Sequence, residues 1–112
     1  MENILKFTPI YKERVWGGRS IEKIYLRQLP KAELKYGESW EIVDRPNDQS
    51  TVVGGEYHGK TLNYLWNNYR EDIFGQGMPD TDRFPLMLKI LDARQKLSLQ
   101  VHPPKSICHI LD

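Results

Sequence analysis

The segment at residues 84–103, FPLMLKILDARQKLSLQVHP, constrains the fold of this chain more than any other stretch. It contains two apolar runs, residues 85–91 and 97–101, separated by a polar stretch at residues 92–96. Apolar runs of this length around a polar break are typical of two strands joined by a turn. Two prolines follow, and a proline cannot donate a backbone N–H to a sheet. The segment therefore predicts a strand, a turn and a second strand that ends at Pro103.

The second run has one apolar face and one polar face. Side chains alternate along a strand, so Ser98, Gln100 and His102 share the polar side. An amide oxygen and an imidazole nitrogen at this spacing can reach one metal ion, so Gln100 and His102 are candidate metal ligands. The alternative is that His102 has a purely structural role. A catalytic zinc usually has three protein ligands, and this strand offers two.

Other candidate residues have weaker support from their surroundings. His58 lies in a predicted exposed turn, and Cys108 and His109 follow the prolines in a predicted helical turn. Lys89 interrupts the first apolar run. Its side chain either extends to solvent along an apolar stem or places a cation in a pocket. The pattern alone leaves both interpretations of Lys89 open.

The first half of the chain predicts short elements. Residues 1–20 begin with loose alternation that indicates a short edge strand, followed by an irregular arm. Trp16 precedes two glycines, which permit a turn at positive φ or a close approach of two backbones. We predict a turn at residues 16–19, a helical turn within residues 20–30 and a solvated stretch at residues 31–36.

Residues 37–44 predict a strand that carries a carboxylate on each face, Glu38 on one side and Glu41 on the other. Since a buried carboxylate needs a partner, both should be paired. Residues 45–48 form a turn cluster, and residues 50–53 predict a further short strand.

Residues 61–74 predict the main helix. Its apolar residues follow helical spacing: Leu62, Leu65, Trp66, Tyr69 and Ile73. Thr61 can cap its start, and Gly75 can supply a left-handed residue at its end. A loop at residues 75–82 follows. Short strands, one helix and a strand pair indicate a mainly β, α+β fold.

Composition narrows the class of protein. At 112 residues the chain has room for one domain, and 16 basic against 15 acidic side chains give a net charge of +1. That balance offers no electrostatic case for nucleic acid or an anionic membrane. No apolar run approaches the roughly 20 residues needed to span a bilayer, and the start lacks the apolar core of a signal peptide. The single Cys108 excludes an internal disulfide, so we predict a cytoplasmic protein.

Four stretches together carry a family resemblance. They are ERVWGGR at residues 13–19, GESWEI at 37–42, GKTL at 59–62 and the segment at 84–103. With these motifs the chain resembles the N-terminal part of type I mannose-6-phosphate isomerases, zinc enzymes of the cupin class. The resemblance implies a partial cupin, a jelly-roll β-sandwich with one main helix, in a single domain over residues 1–112.

The resemblance also implies site residues, a substrate and a cofactor. Gln100 and His102 would bind zinc, and four residues of the same motifs would line the pocket: Ser98, Lys89, Glu38 and Trp16. The reaction would interconvert mannose 6-phosphate and fructose 6-phosphate, so the partner is a phosphorylated hexose. The family's third and fourth zinc ligands and a phosphate-binding arginine come later than Asp112. We therefore expect an incomplete zinc site and little isomerase activity from this chain.

Two further interpretations stay open. One is a non-catalytic, sugar- or metal-binding half-cupin that needs a partner chain, and the other is a structural β domain. If the chain supplies only part of a sandwich, apolar strand residues lack some of their cover and strand edges stay unpaired. Association of two copies would cover the apolar residues and pair the strand edges, so we predict a homo-oligomer.

Overall fold

The computed structural model describes residues 4–96, which contain three strands and two short α-helices. In chain order these are β1 (Ile10–Gly18), α1 (Ser20–Tyr25), β2 (Tyr36–Ile42), α2 (Leu62–Asn68) and β3 (Leu88–Leu91), with a π-helical turn at Arg70–Phe74 after α2. Ser98, Gln100, His102 and the predicted strand that carries them lie outside the described residues. Within residues 4–96, neither helix is long and apolar enough to cross a bilayer.

The three strands form one antiparallel sheet in which β2 lies between β1 and β3. Lys12 of β1 pairs with Glu38 of β2, and Leu91 of β3 pairs with the same residue from the other side. β3 is shorter than the predicted run at residues 85–91. Its edge leaves Leu88 and Leu91 half exposed, at 56% and 50% of their surface.

β1 corrects the prediction of a turn at residues 16–19. The strand continues through Gly18, with an irregular register after Lys12. The two glycines serve close approach of backbones, because a Cβ placed on Gly17 would lie 2.4 Å from the carbonyl carbon of Tyr36. Neither Gly17 nor Gly18 has a positive φ. The turn prediction was wrong because it assigned the glycines to chain reversal.

The sheet has two chemically different faces. The first, called here the α1 face, packs against the buried residues Ile21, Leu29 and Tyr36. Tyr36 is only 2% exposed, so the prediction that it lies in a solvated stretch was wrong. The second, called here the far face, carries polar side chains that the strand register brings side by side: Lys12, Glu38, Trp40 and Lys89.

α2 begins where the sequence predicts and ends earlier. The Thr61 hydroxyl accepts the backbone N–H of Tyr64 at 3.1 Å, which confirms the predicted cap. The regular helix stops at Asn68, where the side-chain amides of Asn67 and Asn68 donate to backbone carbonyls four residues back. Such bonds compete with the helical pattern. Gly75 has the predicted positive φ, 97°, but an extended ψ of 173°.

Trp66 confirms the predicted core of α2. Its side chain is 0% exposed and lies between Phe74 and Phe84, with ring centroids at 5.2 and 5.3 Å. Its indole N–H donates to the carbonyl of Thr81 at 2.8 Å. This cluster joins α2 to the loop at residues 75–82 and to the chain that enters β3.

Residues 50–53 do not form the predicted strand. They make isolated bridges, in which Val52 pairs with Phe7 and Thr51 with Thr61. The turn at residues 45–48 is present, and Asp44 and Gln49 pair across it. Backbone hydrogen bonds still hold these residues, since Val52 donates to the carbonyl of Lys60 and Val53 to that of Lys6, but they do not extend into a regular ladder.

Candidate functional site

A buried carboxylate on the far face is the centre of the candidate site. Glu38 of β2 is 6% exposed. Its Oε2 accepts a hydrogen bond from Arg14 Nε of β1 at 2.6 Å. Its Oε1 accepts from the indole N–H of Trp40 at 3.2 Å and lies 2.9 Å from Lys89 Nζ of β3. One carboxylate is therefore held by cations from both neighbouring strands.

These contacts set the charge of Glu38. Burial raises the pKa of its carboxyl, but the hydrogen bonds from Lys89 and Trp40 and the charges of Arg14 and Lys89 outweigh burial. The net effect holds the pKa of Glu38 below its usual value. At neutral pH the group is a carboxylate whose two oxygens are both occupied. It can position a cation, and it is poorly suited to donate a proton.

The expectation that both carboxylates of β2 are paired is met. On the α1 face, Glu41 accepts a hydrogen bond from Arg27 at 2.6 Å. On the far face, Glu38 pairs with Arg14 and Lys89. The sequence shows that partners are required, and the pairing of strands supplies them.

Gly37 places Trp16 beside this cluster. A Cβ on Gly37 would lie 2.6 Å from both Arg14 Cβ and Trp16 Cζ3, so only glycine leaves room for these side chains. Trp16 thus lies against the residue that precedes Glu38. Of the predicted pocket residues, Glu38 and Lys89 are in direct contact, Trp16 is adjacent, and Ser98 lies outside the described residues.

Sequence reasoning missed Arg14. The signal available was its place in ERVWGGR, two residues before the candidate pocket residue Trp16. The motif does not reveal the irregular register of β1, and it is this register that brings Arg14 to Glu38.

Two cations lie over the ring of Trp40, beside the cluster. Lys12 lies 4.4 Å from the centre of the Trp40 ring and pairs with Asp48 at 2.7 Å. Arg45 lies 5.4 Å from the same ring. Trp40 itself is 7% exposed, so its ring is not an open platform for a sugar. Lys12 and its partner Asp48 are exposed to a similar extent, at 26% and 24% of their side chains.

Exposure shows which cations can meet a ligand. The side chains of Lys89 and Arg14 are 43% and 36% exposed, whereas that of Glu38 is 7% exposed. The carboxylate is the buried anchor, and the two cations form the accessible surface. Such a surface attracts an anion.

The described residues do not form a metal centre. Within residues 4–96, no three histidine, cysteine, aspartate or glutamate side chains are close enough together to hold a metal ion. Glu38 is already committed to its cationic partners. The predicted ligands Gln100 and His102 lie outside the described residues, so their role stays a prediction.

Comparison with known proteins identifies the family. Residues 4–112 match the family described as phosphomannose isomerase type I, catalytic domain. This chain belongs to the type I phosphomannose isomerase family. The resemblance recognised from the motifs is thereby confirmed.

Individual relatives support the same assignment. The chain is 43% identical over 106 residues to the mannose-6-phosphate isomerase ManA of Bacillus subtilis, covering 95% of this chain and 32% of that protein. It is 40% identical over 91 residues to the mannose-6-phosphate isomerase of Streptococcus mutans, covering 81% of this chain and 27% of that protein. The chain thus spans less than a third of the length of either of these relatives.

A solved structure supports the fold. The crystal structure of the mannose 6-phosphate isomerase from Bacillus subtilis superposes with a TM-score of 0.69 at 39% identity, covering 80% of this chain and 27% of that one. The mainly β fold class is confirmed by this likeness and by the antiparallel sheet. The predicted partial cupin agrees with both.

Proposed function

We propose that this chain contributes to the substrate site of a mannose-6-phosphate isomerase, and that the far face binds the phosphorylated hexose. The observation that carries the proposal is the buried Glu38, whose contacts hold Lys89 and Arg14 at an accessible surface. Family membership supports the choice of substrate, because relatives such as ManA are mannose-6-phosphate isomerases.

The chemistry of isomerisation explains a fixed cation at this place. Conversion of an aldose to a ketose moves a proton between C1 and C2, and negative charge develops on a sugar oxygen. Lys89 has further N–H donors beyond the one directed at Glu38. A preoriented ammonium stabilises such charge, or the phosphate of the substrate, better than a mobile one does. Glu38 therefore acts by holding Lys89 in place.

We also propose that Gln100 and His102 supply two ligands to zinc and that Ser98 lines the same pocket. Imidazole nitrogen is a common zinc ligand, and two protein ligands fall short of the three found in most catalytic sites. When bound, zinc would supply Lewis-acid polarisation of a sugar oxygen. A cytoplasmic location follows from the composition and from the metabolic substrate, and it stays part of the proposal.

Substrate binding is tested by calorimetric titration of the 112-residue chain with mannose 6-phosphate and, separately, with mannose. We expect the phosphorylated sugar to bind more tightly. Lys89→Gln should weaken its binding by roughly 5- to 10-fold, since water competes for this partly exposed side chain and reduces the net contribution of its hydrogen bond to about 1–1.5 kcal/mol. Lys60→Gln is the matched control, because Lys60 is exposed and lies beside Tyr64 instead. Equal affinity for both sugars, or equal loss in both variants, would reject the proposed site.

The zinc proposal needs its own measurement. Zinc titration should give weak binding that His102→Ala removes, because an incomplete site leaves water in the missing positions. Tight zinc binding that survives His102→Ala would contradict it. An isomerase assay on the same material should show little turnover, and a non-catalytic half-cupin predicts none.

A further inference from the structure

A second group of cations lines a cleft at the end of the sheet. The cleft has a volume of about 260 Å³ and lies between the end of β1, the start of α1 and the segment after β3. We call it the basic cleft and define it by the residues that matter for its charge and shape: Gly17, Gly18, Arg19, Lys23, Lys35 and Arg94.

The walls of the basic cleft are fixed by backbone contacts. The carbonyl of Trp16 accepts the N–H groups of Arg94 and Gln95 at 2.9 and 3.0 Å. The N–H of Ser20 donates to Asp92 Oδ2 at 2.8 Å. A Cβ on Gly18 would lie 3.2 Å from Arg94 Cδ, so the glycine lets the arginine stem lie along the strand end. The backbone wall of the cleft is therefore formed by the fold itself, and the cations Lys23, Lys35 and Arg94 reach it as exposed side chains.

The charges of the cleft are unbalanced. It is lined by two lysines and two arginines, and the two carboxylates beside it, Glu22 and Asp92, do not balance all four cations. Glu22 lies 2.8 Å from Arg19, and Asp92 accepts the N–H of Ser20.

The remaining cations lack a carboxylate within the described part of the chain. Among the ion pairs that residues 4–96 form within 4.0 Å, none includes Lys23, Lys35 or Arg94. Concentrated positive charge around a concave surface raises the local concentration of anions. Lysine and arginine are the side chains that proteins use to bind phosphate groups.

The basic cleft is distinct from the Glu38 cluster. Lys23 belongs to α1, which covers the face of the sheet opposite Lys89. None of Arg14, Glu38 and Lys89 lines the cleft.

We propose that the basic cleft is a second phosphate-binding site. Its volume is several times the roughly 30 Å³ that a water molecule occupies in the liquid, so it accommodates a phosphate group with part of an attached ester. The phosphate comes either from inorganic phosphate or from a phosphorylated sugar. The inference does not depend on the isomerase proposal.

The test uses nitrogen-15-labelled full chain and follows amide shifts during titration with inorganic phosphate. We expect shifts at Gly17, Gly18 and Arg94 that saturate with phosphate and weaken as sodium chloride is raised, because salt screens partly exposed charges. The double variant Lys35→Gln with Arg94→Gln should weaken binding roughly tenfold, since each lost charge-assisted contact contributes a factor of a few. The single variant Lys23→Gln, at an exposed residue of α1, should also weaken phosphate binding, by less than the double variant does.

Two controls separate this site from others. Lys89→Gln should leave the phosphate affinity of the cleft unchanged, as should Lys6→Gln at an exposed site elsewhere. The proposal would be overturned if Lys89→Gln or Lys6→Gln removed the phosphate-dependent shifts of the cleft amides. It would also be overturned if the double variant left those shifts unchanged. The absence of saturable shifts at the cleft would overturn it as well.

A parallel titration with mannose 6-phosphate identifies the source of the phosphate. Tighter binding of the ester at the same amides assigns the cleft to a sugar phosphate. Equal or tighter binding of inorganic phosphate assigns it to the free ion. Both results support a phosphate site in the cleft. They do not depend on whether Lys89→Gln weakens mannose 6-phosphate binding in the calorimetric titration of the proposed substrate site.

Discussion

Asp44→Asn tests whether one buried carboxylate holds the helical part of the molecule to the sheet. Asp44 follows β2, and its side chain is 0% exposed. One oxygen accepts from Gln49 Nε2 and Arg83 Nη1, the latter at 3.1 Å. The other accepts from Asn63 Nδ2 at 3.0 Å and from the N–H of Phe84 at 2.9 Å. These donors come from the turn after β2, from α2 and from the chain that enters β3.

The expected cost follows from the number of donors. Asparagine keeps the shape of aspartate but has one acceptor oxygen, so its NH₂ group must face two of the four donors. Each buried donor left without an acceptor costs about 1–3 kcal/mol. Arg83 and Gln49 reach water more easily than the N–H of Phe84, and their reorientation recovers part of the loss. We therefore expect Asp44→Asn to lower the free energy of unfolding by about 2–4 kcal/mol.

The effect must depend on pH in one direction. Burial raises the pKa of Asp44, but the hydrogen bonds from Asn63, Phe84 and Gln49 and the charge of Arg83 outweigh it and hold the pKa below its usual value. A depressed pKa means that the carboxylate stabilises the fold fully above the unfolded-state pKa, near 3.9. That contribution is lost as the pH falls through the lower pKa of the folded state. The gap between wild type and Asp44→Asn should be constant above about pH 5 and should narrow below about pH 4.

The assay is urea denaturation followed by tryptophan fluorescence at pH 7 and at a series of lower pH values. Asp80→Asn is the matched control, because Asp80 is fully exposed and its pair with Arg70 is long, at 3.4 Å. That variant should change stability by less than about 0.5 kcal/mol. A loss below about 1 kcal/mol for Asp44→Asn, or a gap that widens in acid, would refute the reasoning.

Three further predictions concern the core, the site and association. Trp66→Ala should cost about 3–5 kcal/mol in chemical denaturation, and a loss below about 1 kcal/mol would show that the residue is not core. Gly37→Ala should displace Arg14 and Trp16, since its Cβ would lie 2.6 Å from both. It should weaken mannose 6-phosphate binding as Lys89→Gln does, and unchanged affinity would contradict the site. Light scattering over a dilution series should show a dimer or larger species, whereas a folded, strictly monomeric chain at tens of micromolar would reject the predicted homo-oligomer.

The confirmed predictions from sequence rest on interactions between residues that are close together in the chain. Thr61 caps α2 because its hydroxyl reaches an N–H three residues away, and Trp66 is buried because helical spacing aligns it with the other apolar residues. Alternation along β2 likewise separated Glu38 from Glu41 and required a partner for each. These features depend on interactions between near neighbours, which a sequence displays directly. The family motifs added the fold class, which is confirmed, and the candidate pocket residues, which stay a prediction.

Tertiary structure decided what the near neighbours leave open. Gly17 and Gly18 were compatible with a turn or with close packing, and only the position of Tyr36 against β1 selects close packing. Arg14 became a partner of Glu38 through an irregular register that no local pattern reveals. The basic cleft exists because the segment after β3 returns to the end of β1. Strand pairing brings together residues that are far apart in the sequence, and it depends on the packing of the whole sheet. Residue type and spacing therefore indicate which residues are candidates for the site, and the fold determines which of those residues are in contact.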